Sequence, residues 1–446
     1  MPWRIFVTAL IIRWVYAVIM FWRSGDAGLM MIDSEGYLFY AHEFAASLQS
    51  GSLSGFEWFG PVWNAMPLAQ WLVSLCALLF GASAALAYVL LQGVFDAGTC
   101  LLVFGIARTV DKSCAALAGF AAAFNPTQIV LSGLVLTDTP FAFFTALFLF
   151  AAVQWVCAPA WRWVVVLGFA LGAAAMTRAL AEPFAALMFL FMLTLGLIQR
   201  PFRRLLVQQS FAGAVIFCLC LAPVVWRNVS EFGSWSITPQ SGTHLALWVA
   251  PLVKEVADGT PWAQSHNEMQ RRVDERYPTP SADPFERSRR YQEIAREELK
   301  ALGIAAMAKA WLVGAAINLG SPAIILSPPI LVLPRTGFYA TPGVSPLDKI
   351  KNFLFHSDNA TYAWILLAGI TGLLLARLIQ LIGAIVLLRD RHPAVLCLFG
   401  LWIAYVLAVN GPVASPKYRL PIEPPLMVLT GAGLSVLLRR RRFLDH

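Results

Sequence analysis

Charged residues are scarce in this sequence. Asp, Glu, Lys and Arg make up 13% of the 446 residues, whereas 59% are hydrophobic. A typical soluble domain is roughly one quarter charged. The apolar stretches are also too long and too many for a single soluble core. The shortage of charge therefore excludes a soluble protein and indicates a chain that crosses a membrane many times.

Cysteine and histidine are also few. The seven cysteines lie in or beside apolar segments, and none lies in the long polar stretch 227–300. Cys218 and Cys220 do not have the spacing of metal ligands, and the six histidines are scattered. We therefore expect no disulfide framework, no metal and no cofactor. The net charge of +8 fits loop arginines and anionic membrane lipids, so nucleic acid is not an expected partner.

Apolar runs are abundant. A spanning helix needs about 20 mostly apolar residues, and the sequence predicts about twelve such helices. The predicted fold class is an all-α polytopic membrane protein with amphipathic periplasmic helices and one modest periplasmic loop region. The pair 304–319 and 321–334 is short and proline-rich, and forms either a re-entrant hairpin or two kinked helices. The predicted spans are 4–22, 84–107, 114–131, 139–157, 162–178, 183–199, 205–226, 304–319, 321–334, 360–388, 393–410 and 419–438.

The cations of the short loops predict the orientation. With the N-terminus in the cytoplasm, every cytoplasmic loop carries Lys or Arg, as the positive-inside rule requires. The opposite orientation would translocate the arginine tail. We therefore predict a bacterial inner-membrane protein with both termini in the cytoplasm. The cytoplasmic cations are Arg108, Lys112, Arg162, Arg200, Arg203, Arg204, Arg389, Arg391 and Arg439 to Arg442.

The same orientation predicts three modules. They are an N-terminal transmembrane module (1–226), a small helical periplasmic region (227–303) and a C-terminal transmembrane module with a basic tail (304–446). In the first periplasmic loop, apolar residues between Tyr37 and Leu48 follow helical spacing, which predicts an amphipathic surface helix. The apolar piece 67–80 is too short to span and is expected to lie at the interface or dip into the bilayer.

Three acids lie at the predicted periplasmic edge, where ionisable groups are costly and suggest function. Asp33 and Glu35 follow the first helix, and Asp138 precedes an apolar run that begins with a proline. A carboxylate at the edge of a membrane cavity can act as a general base on a hydroxyl. The competing interpretation is a helix cap or an acid in the first helical turn.

Cations gather at the same edge. Arg178 precedes Glu182 by four residues, and it either pairs with that acid, reaches the interface or binds an anionic head group. Arg227 ends the seventh predicted helix, where a cation suits the helix dipole.

Lys417, Tyr418 and Arg419 precede the last predicted helix. Two cations there oppose the positive-inside trend, and cations beside a helix N-terminus form a phosphate site.

Arg13 and Asp96 are the ionisable residues predicted deepest in the membrane. Such residues are typical of transporters and lipid flippases, which form the rival functional class. The absence of a sequence repeat and the gathering of charge at one edge favour an enzyme instead.

Six short motifs occur in a characteristic order. They are Asp33-Ser34-Glu35-Gly36-Tyr37 with Ala41 and Gly51, Gly60-Pro61 to Pro67-Leu68, Asn125-Pro126 to Asp138, Thr177-Arg178 with Pro183, Ala222-Pro223 to Asn228, and Tyr418-Arg419-Leu420-Pro421 with Pro424. This order resembles the GT-C superfamily of membrane glycosyltransferases. Within it, the chain is most similar to the branch of bacterial aminoarabinose transferases and protein O-mannosyltransferases. Lys417 departs from the arginine that is usual before the tyrosine, and Ser34 stands where a second acid is usual.

The resemblance implies a GT-C-like fold and inverting transfer of one sugar from a polyprenyl-phosphate donor, without an obligatory metal. The acceptor would be a hydroxyl of a glycolipid, glycan or protein at the periplasmic face. Asp33 is implied as the general base, and Glu35 and Asp138 as residues that orient hydroxyls. A lipid-linked glycan polymerase or ligase is a further alternative. The residues implied to bind the donor phosphate are Arg178, Arg227, Lys417, Tyr418 and Arg419.

Overall fold

The computed structural model describes residues 1–60, 66–198, 203–333, 341–356, 360–390 and 392–444. The regular elements of these ranges are all helical, so the predicted all-α class is confirmed. Predictions that concern Arg200, Arg391 or residues 61–65 of the proline-containing motif lie outside the described residues. In chain order the α-helices are α1 Pro2–Ser24, α2 Ile32–Gln49, α3 Pro67–Phe80, α4 Ala84–Val110, α5 Ala115–Ala123, α6 Pro126–Ser132, α7 Asp138–Cys157, α8 Trp161–Thr177, α9 Ala181–Ile198, α10 Arg203–Phe232, α11 Gln240–His244, α12 Ala250–Asp258, α13 Trp262–Arg276, α14 Pro284–Gly320, α15 Pro328–Leu331, α16 Pro346–Phe355, α17 Ala360–Arg389, α18 Pro393–Asn410 and α19 Glu423–Leu444.

Within the described ranges, nine helical segments are long and apolar enough to span a membrane, or ten if the bent pair α5 and α6 forms one span. The predicted count of about twelve is not confirmed. Helix α8 is apolar but has only 17 residues. Pro322, Pro328 and Pro329 interrupt the predicted span 321–334, where the described residues form a 3₁₀ turn and the four-residue helix α15.

Two other predicted spans contain breaks. The span 114–131 is divided into α5 and α6, which meet at a 45° bend where Asn125 caps α6 and Pro126 occupies its first turn. The span 304–319 is the second part of α14, whose first part belongs to the predicted helical region 227–303. Gly303 joins the two parts with φ +82° and ψ 164°, a conformation open essentially only to glycine.

The described chain folds into two compact units. The first comprises residues 1–224, 374–406 and 419–446, and the second comprises 225–373 and 407–418. The three predicted modules stay a prediction about organisation.

In the first unit, α1 packs on α4, α4 on α7, α7 on α8, and α19 on α5. Helix α2 packs on α3 through Ala41 and Ala45, which face Val73 and Ala77. Helix α2 was predicted to rest on the membrane surface. Its buried face contacts α3, where small residues let the two helices approach closely, and the placement on the membrane surface stays a prediction.

The second unit has its own core. Helices α12, α13 and α14 pack around Ala250, Val253, Met269 and Ile294. Arg272 and Arg276 on α13 form ion pairs with glutamates of α14 on the outer face. The polar stretch between the spans is therefore a folded helical region rather than an extended loop.

Candidate active site

Ser34 fixes the start of α2. Its hydroxyl is fully buried, accepts a hydrogen bond from the Met31 N–H at 2.8 Å, and donates to the Val135 carbonyl at 2.7 Å. Because Ser34 points inward, its neighbours Asp33 and Glu35 lie on the exposed side of the first turn. The N-cap is Met31, so Asp33 is one residue inside the helix and does not cap it.

Asp138 forms an ion pair with Arg178. The distance from Arg178 Nη1 to Asp138 Oδ1 is 2.5 Å, and the two side chains are 26% and 4% exposed. Asp138 is the first residue of α7, and Arg178 directly follows the last residue of α8. The sequence suggested Glu182 as the partner of Arg178, but the ion pair that the structure shows is to Asp138, on a different helix.

Tyr37 connects these groups. It lies four residues after Asp33 on the same face of α2, and its phenol forms a hydrogen bond with the Thr137 side chain. Its phenol also interacts electrostatically with Arg178, Asp33 and Asp138. Burial is the main cause that raises the pKa of Tyr37 above its usual value. The phenol therefore stays protonated at neutral pH and keeps its hydrogen-bond donor.

Sequence reasoning missed Tyr37 as a site residue, although it stands in the quoted first motif. The four-residue spacing from Asp33 was the signal that could have found it. The structure thus brings together Asp33, Asp138 and Arg178 of the predicted set, with Tyr37 between them. Glu35 occupies the same exposed helical turn as Asp33.

Arg419 lies elsewhere in the first unit. It is fully buried, and its Nε atom is 2.6 Å from Glu423 Oε1. Its Nη2 atom donates to Thr127 Oγ1 at 2.7 Å. The guanidinium is thus engaged with a carboxylate and a hydroxyl of the protein. Its predicted role as a phosphate ligand stays a prediction.

Arg227, Lys417 and Tyr418 belong to the second unit. Arg227 is buried and donates from Nε to Asn228 Oδ1 at 2.9 Å. Lys417 Nζ lies 5.3 Å from the centroid of the Tyr418 ring, within cation–π range. Their predicted contact with phosphate also stays a prediction.

The described ranges hold no group of three or more His, Cys, Asp or Glu side chains arranged to bind a metal ion. Within those ranges, the carboxylate chemistry of the site consists of Asp33, Glu35 and Asp138. The expectation of a metal-independent reaction stays a prediction.

An apolar cavity lies beside the other end of α2. It has a volume of about 240 Å³ and lies between the last turns of α2, the 3₁₀ turn at Gly55–Phe59 and α3. Phe44, Trp58, Trp71 and Leu75 are among its lining residues. The Trp71 indole N–H donates to the Trp58 carbonyl at 2.6 Å, which fixes the ring. At about 1.5 Å per residue, Phe44 stands roughly 17 Å along the helix from Asp33.

Comparison with known proteins bears on the N-terminal half and on the fold. Residues 64–226 match the family model described as dolichyl-phosphate-mannose-protein mannosyltransferase. The crystal structure of the Archaeoglobus fulgidus oligosaccharyltransferase, in complex with zinc and sulfate, is similar with a TM-score of 0.52 and 16% identity. That match covers 98% of this chain and 50% of the other, so this chain spans half the length of that protein.

A further similar structure is ArnT from Cupriavidus metallidurans bound to undecaprenyl phosphate. It has 15% identity and a TM-score of 0.42, and the match covers 98% of this chain and 77% of that one. No curated protein sequence matches the chain. The predicted GT-C-like fold class is confirmed by the family match and the shared fold.

Proposed function

We propose that the chain is a GT-C-type membrane glycosyltransferase, and that it transfers a single sugar from a polyprenyl-phosphate donor to a hydroxyl acceptor. The reaction would take place at the periplasmic face of a bacterial inner membrane, with both termini in the cytoplasm. A donor of this class is supported by the matched family, whose description names a dolichyl-phosphate-linked mannose. Glycolipids, glycans and proteins are the acceptor classes.

The observation that carries the proposal is the convergence of α2 with the facing ends of α7 and α8. Asp33, Asp138 and Arg178 come from three helices, and all three interact with Tyr37. A structural ion pair would need only Asp138 and Arg178. Asp33 is a further acid, exposed in the first turn of α2, and its presence supports a role in contact with a substrate.

Asp33 is the proposed general base. As the acceptor oxygen attacks the anomeric carbon, its proton passes to the Asp33 carboxylate and the new glycosidic bond forms. The bond between the anomeric carbon and the phosphate oxygen breaks at the same time, and its electron pair leaves with the polyprenyl phosphate. One displacement inverts the anomeric configuration.

Arg178 is the proposed residue that neutralises the leaving phosphate, since it is partly exposed and already held by Asp138. Asp138 and Glu35 would orient sugar or acceptor hydroxyls. The proposal also assigns phosphate binding to Arg227, Lys417 and Tyr418. This assignment is based on their chemistry and on the motifs that contain them. Arg419 is the last member of the proposed phosphate-binding set. Because its side chain is buried, its proposed role is to hold other residues in position.

The apolar cavity between α2 and α3 is the proposed site for part of the isoprenoid chain. Its lining is aromatic and aliphatic, and it lies on the same helix as the proposed base. A cavity of about 150 Å³ can hold a benzene ring, so this one has room for at least one isoprene unit.

The test of the base is Asp33→Asn, which keeps the shape of the side chain and removes its basicity. With the protein in liposomes and a defined undecaprenyl-phosphate sugar that the wild type consumes, we expect the turnover rate to fall by roughly 10²–10⁴-fold. Glu43→Gln is the matched control, an exposed acid on the same helix, and should keep the wild-type rate. If Asp33→Asn turned over as fast as Glu43→Gln, the base assignment would be wrong.

A further inference from the structure

The backbone between α5 and α7 is irregular, and the bend lies inside the predicted span 114–131. Helices α5 and α6 meet at a bend, and the chain from Gly133 to Thr137 is not helical before α7 begins. In a bilayer, such backbone persists only where other parts of the protein satisfy its polar groups. In this chain, side chains from several other helices satisfy them.

A stripe on α4 provides the first support. Tyr88, Gln92 and Asp96 follow one another at four-residue intervals, so they share one face of the helix, and all three are fully buried. The Tyr88 hydroxyl donates to the Leu136 carbonyl at 3.0 Å, and Gln92 Nε2 donates to the Leu134 carbonyl at 2.7 Å. Two carbonyls of the segment immediately before Asp138 are thus held by α4.

The ion pair of Arg13 and Asp96 supports the bend itself. Arg13 Nε is 2.6 Å from Asp96 Oδ2, and Arg13 also donates to the Ala122 carbonyl at 3.0 Å and to the Ala123 carbonyl. These carbonyls end α5, where the break removes their helical partners. Asp96 Oδ1 accepts from Gln128 Nε2 at 2.9 Å, so the pair binds both halves of the bend.

Residues at and just before the start of α19 also hold the bend between α5 and α6. Asn125 Nδ2 donates to Glu423 Oε2 at 2.8 Å, while its Oδ1 caps α6 by accepting from the Thr127 N–H at 2.9 Å. Arg419 pairs with Glu423 and donates to the Thr127 hydroxyl. The bend is therefore held by two buried ion pairs, Arg13–Asp96 and Arg419–Glu423.

We propose that Tyr88, Gln92 and the two ion pairs Arg13–Asp96 and Arg419–Glu423 are positioning residues, which hold the segment 122–136 so that Asp138 and Arg178 stand beside Asp33. This inference rests on the proposed function, because it gives these residues a part in the same site. Leu136 is two residues before Asp138, and the carbonyl of the preceding residue, Val135, accepts from Ser34 on α2. The segment thus ties α4 to both helices that carry the acids.

The test uses Tyr88→Phe, which removes one hydroxyl and leaves the ring that packs in the core. Gln92→Met is a second variant, which removes the bond to Leu134. Thr99→Val is the matched control: Thr99 is equally buried on α4, but its hydroxyl donates to Phe95 of the same helix. Each variant is compared for kcat, donor KM and amide hydrogen exchange of the peptide covering 133–138, in liposomes with the same undecaprenyl-phosphate sugar.

We expect kcat to fall about tenfold in Tyr88→Phe and Gln92→Met, with donor KM within about twofold of the wild type. Exchange should rise in residues 133–138 and stay unchanged elsewhere, and Thr99→Val should resemble the wild type. Adding Tyr88→Phe to Arg178→Lys should cost less than the two separate losses combined, since both act on one group. The proposal would be overturned if Tyr88→Phe and Gln92→Met kept the wild-type kcat or lost no more than Thr99→Val. It would also be overturned if the losses of Tyr88→Phe and Arg178→Lys were fully additive.

The outcome is separable from that of the proposed base. If Asp33→Asn kept full turnover while Tyr88→Phe lost kcat and loosened 133–138, the base assignment would fail and the positioning role would stand. If Asp33→Asn were inactive and Tyr88→Phe unchanged in both measurements, the positioning role would fail alone.

Discussion

At the scale of single residues, the site depends on which way each side chain of one helical turn points. Ser34 is turned inward by two hydrogen bonds, and this leaves Asp33 exposed. The sequence identified the acids, but it could not show that the Ser34 hydroxyl reaches across to the Val135 carbonyl. That contact joins residues about a hundred positions apart, so the local sequence around Ser34 could not predict it.

Ser34→Ala tests this anchoring. The change leaves the buried Val135 carbonyl without its donor, so we expect the free energy of unfolding to fall by about 1–3 kcal/mol. Ser50→Ala is the control, since the Ser50 hydroxyl is exposed and bonds only within its own turn and to Ser52. It should change stability by less than about 0.5 kcal/mol. Equal stability of both variants in a denaturant titration in detergent would contradict the anchoring role.

The contacts of Arg419 could be predicted from the sequence only in part. Glu423 follows it by four residues, a spacing that predicts an ion pair on a helix. The sequence interpretation gave weight to phosphate binding instead. The hydrogen bonds from Arg419 to Thr127 and from Asn125 to Glu423 could not be predicted, since they join residues 292 and 298 positions apart.

At the scale of elements, apolar runs predicted most helices to within a few residues. Helix α1 was predicted as 4–22 and runs from Pro2 to Ser24, and the apolar piece 67–80 is α3. Breaks were harder to predict. The predicted single span 114–131 contains the bend between α5 and α6, where Pro126 occupies the first turn of α6.

The exposed turn between α2 and the 3₁₀ turn at Gly55–Phe59 allows a test of which side of the membrane carries the site. Ser52 lies in that turn, and Ser113 lies in the exposed turn between α4 and α5, a predicted cytoplasmic loop. A membrane-impermeant maleimide added to intact cells should label Ser52→Cys, and should label Ser113→Cys only after the cells are permeabilised. The reverse pattern would place the site in the cytoplasm.

At the scale of the whole molecule, composition and motif order predicted the class of protein. The polytopic membrane architecture and the fold are confirmed, and residues 64–226 match a family of protein mannosyltransferases. The glycosyltransferase activity of this chain stays a proposal. Six short motifs in order were informative because they come from separate parts of the chain. The sequence could not show how the described chain divides into two units, because residues 374–406 and 419–446 join the first unit from far along the chain.

The rival transporter assignment drew on Arg13 and Asp96. In the structure Arg13 and Asp96 form an ion pair, Arg13 donates to backbone carbonyls, and Asp96 accepts from a glutamine amide. Their charged groups therefore form hydrogen bonds with polar groups of the bent segment. Ionisable groups in the membrane interior invite a functional hypothesis, and here that function is support for the site.

The most direct test of the central claim is the product itself. A defined undecaprenyl-phosphate sugar of known anomeric configuration is incubated with the reconstituted wild-type protein and an acceptor extract, and the product is analysed by mass spectrometry and NMR. We expect one sugar to be added to the acceptor for each polyprenyl phosphate released, with the anomeric configuration inverted. Transfer of a preassembled glycan block, or a product with retained configuration, would contradict it.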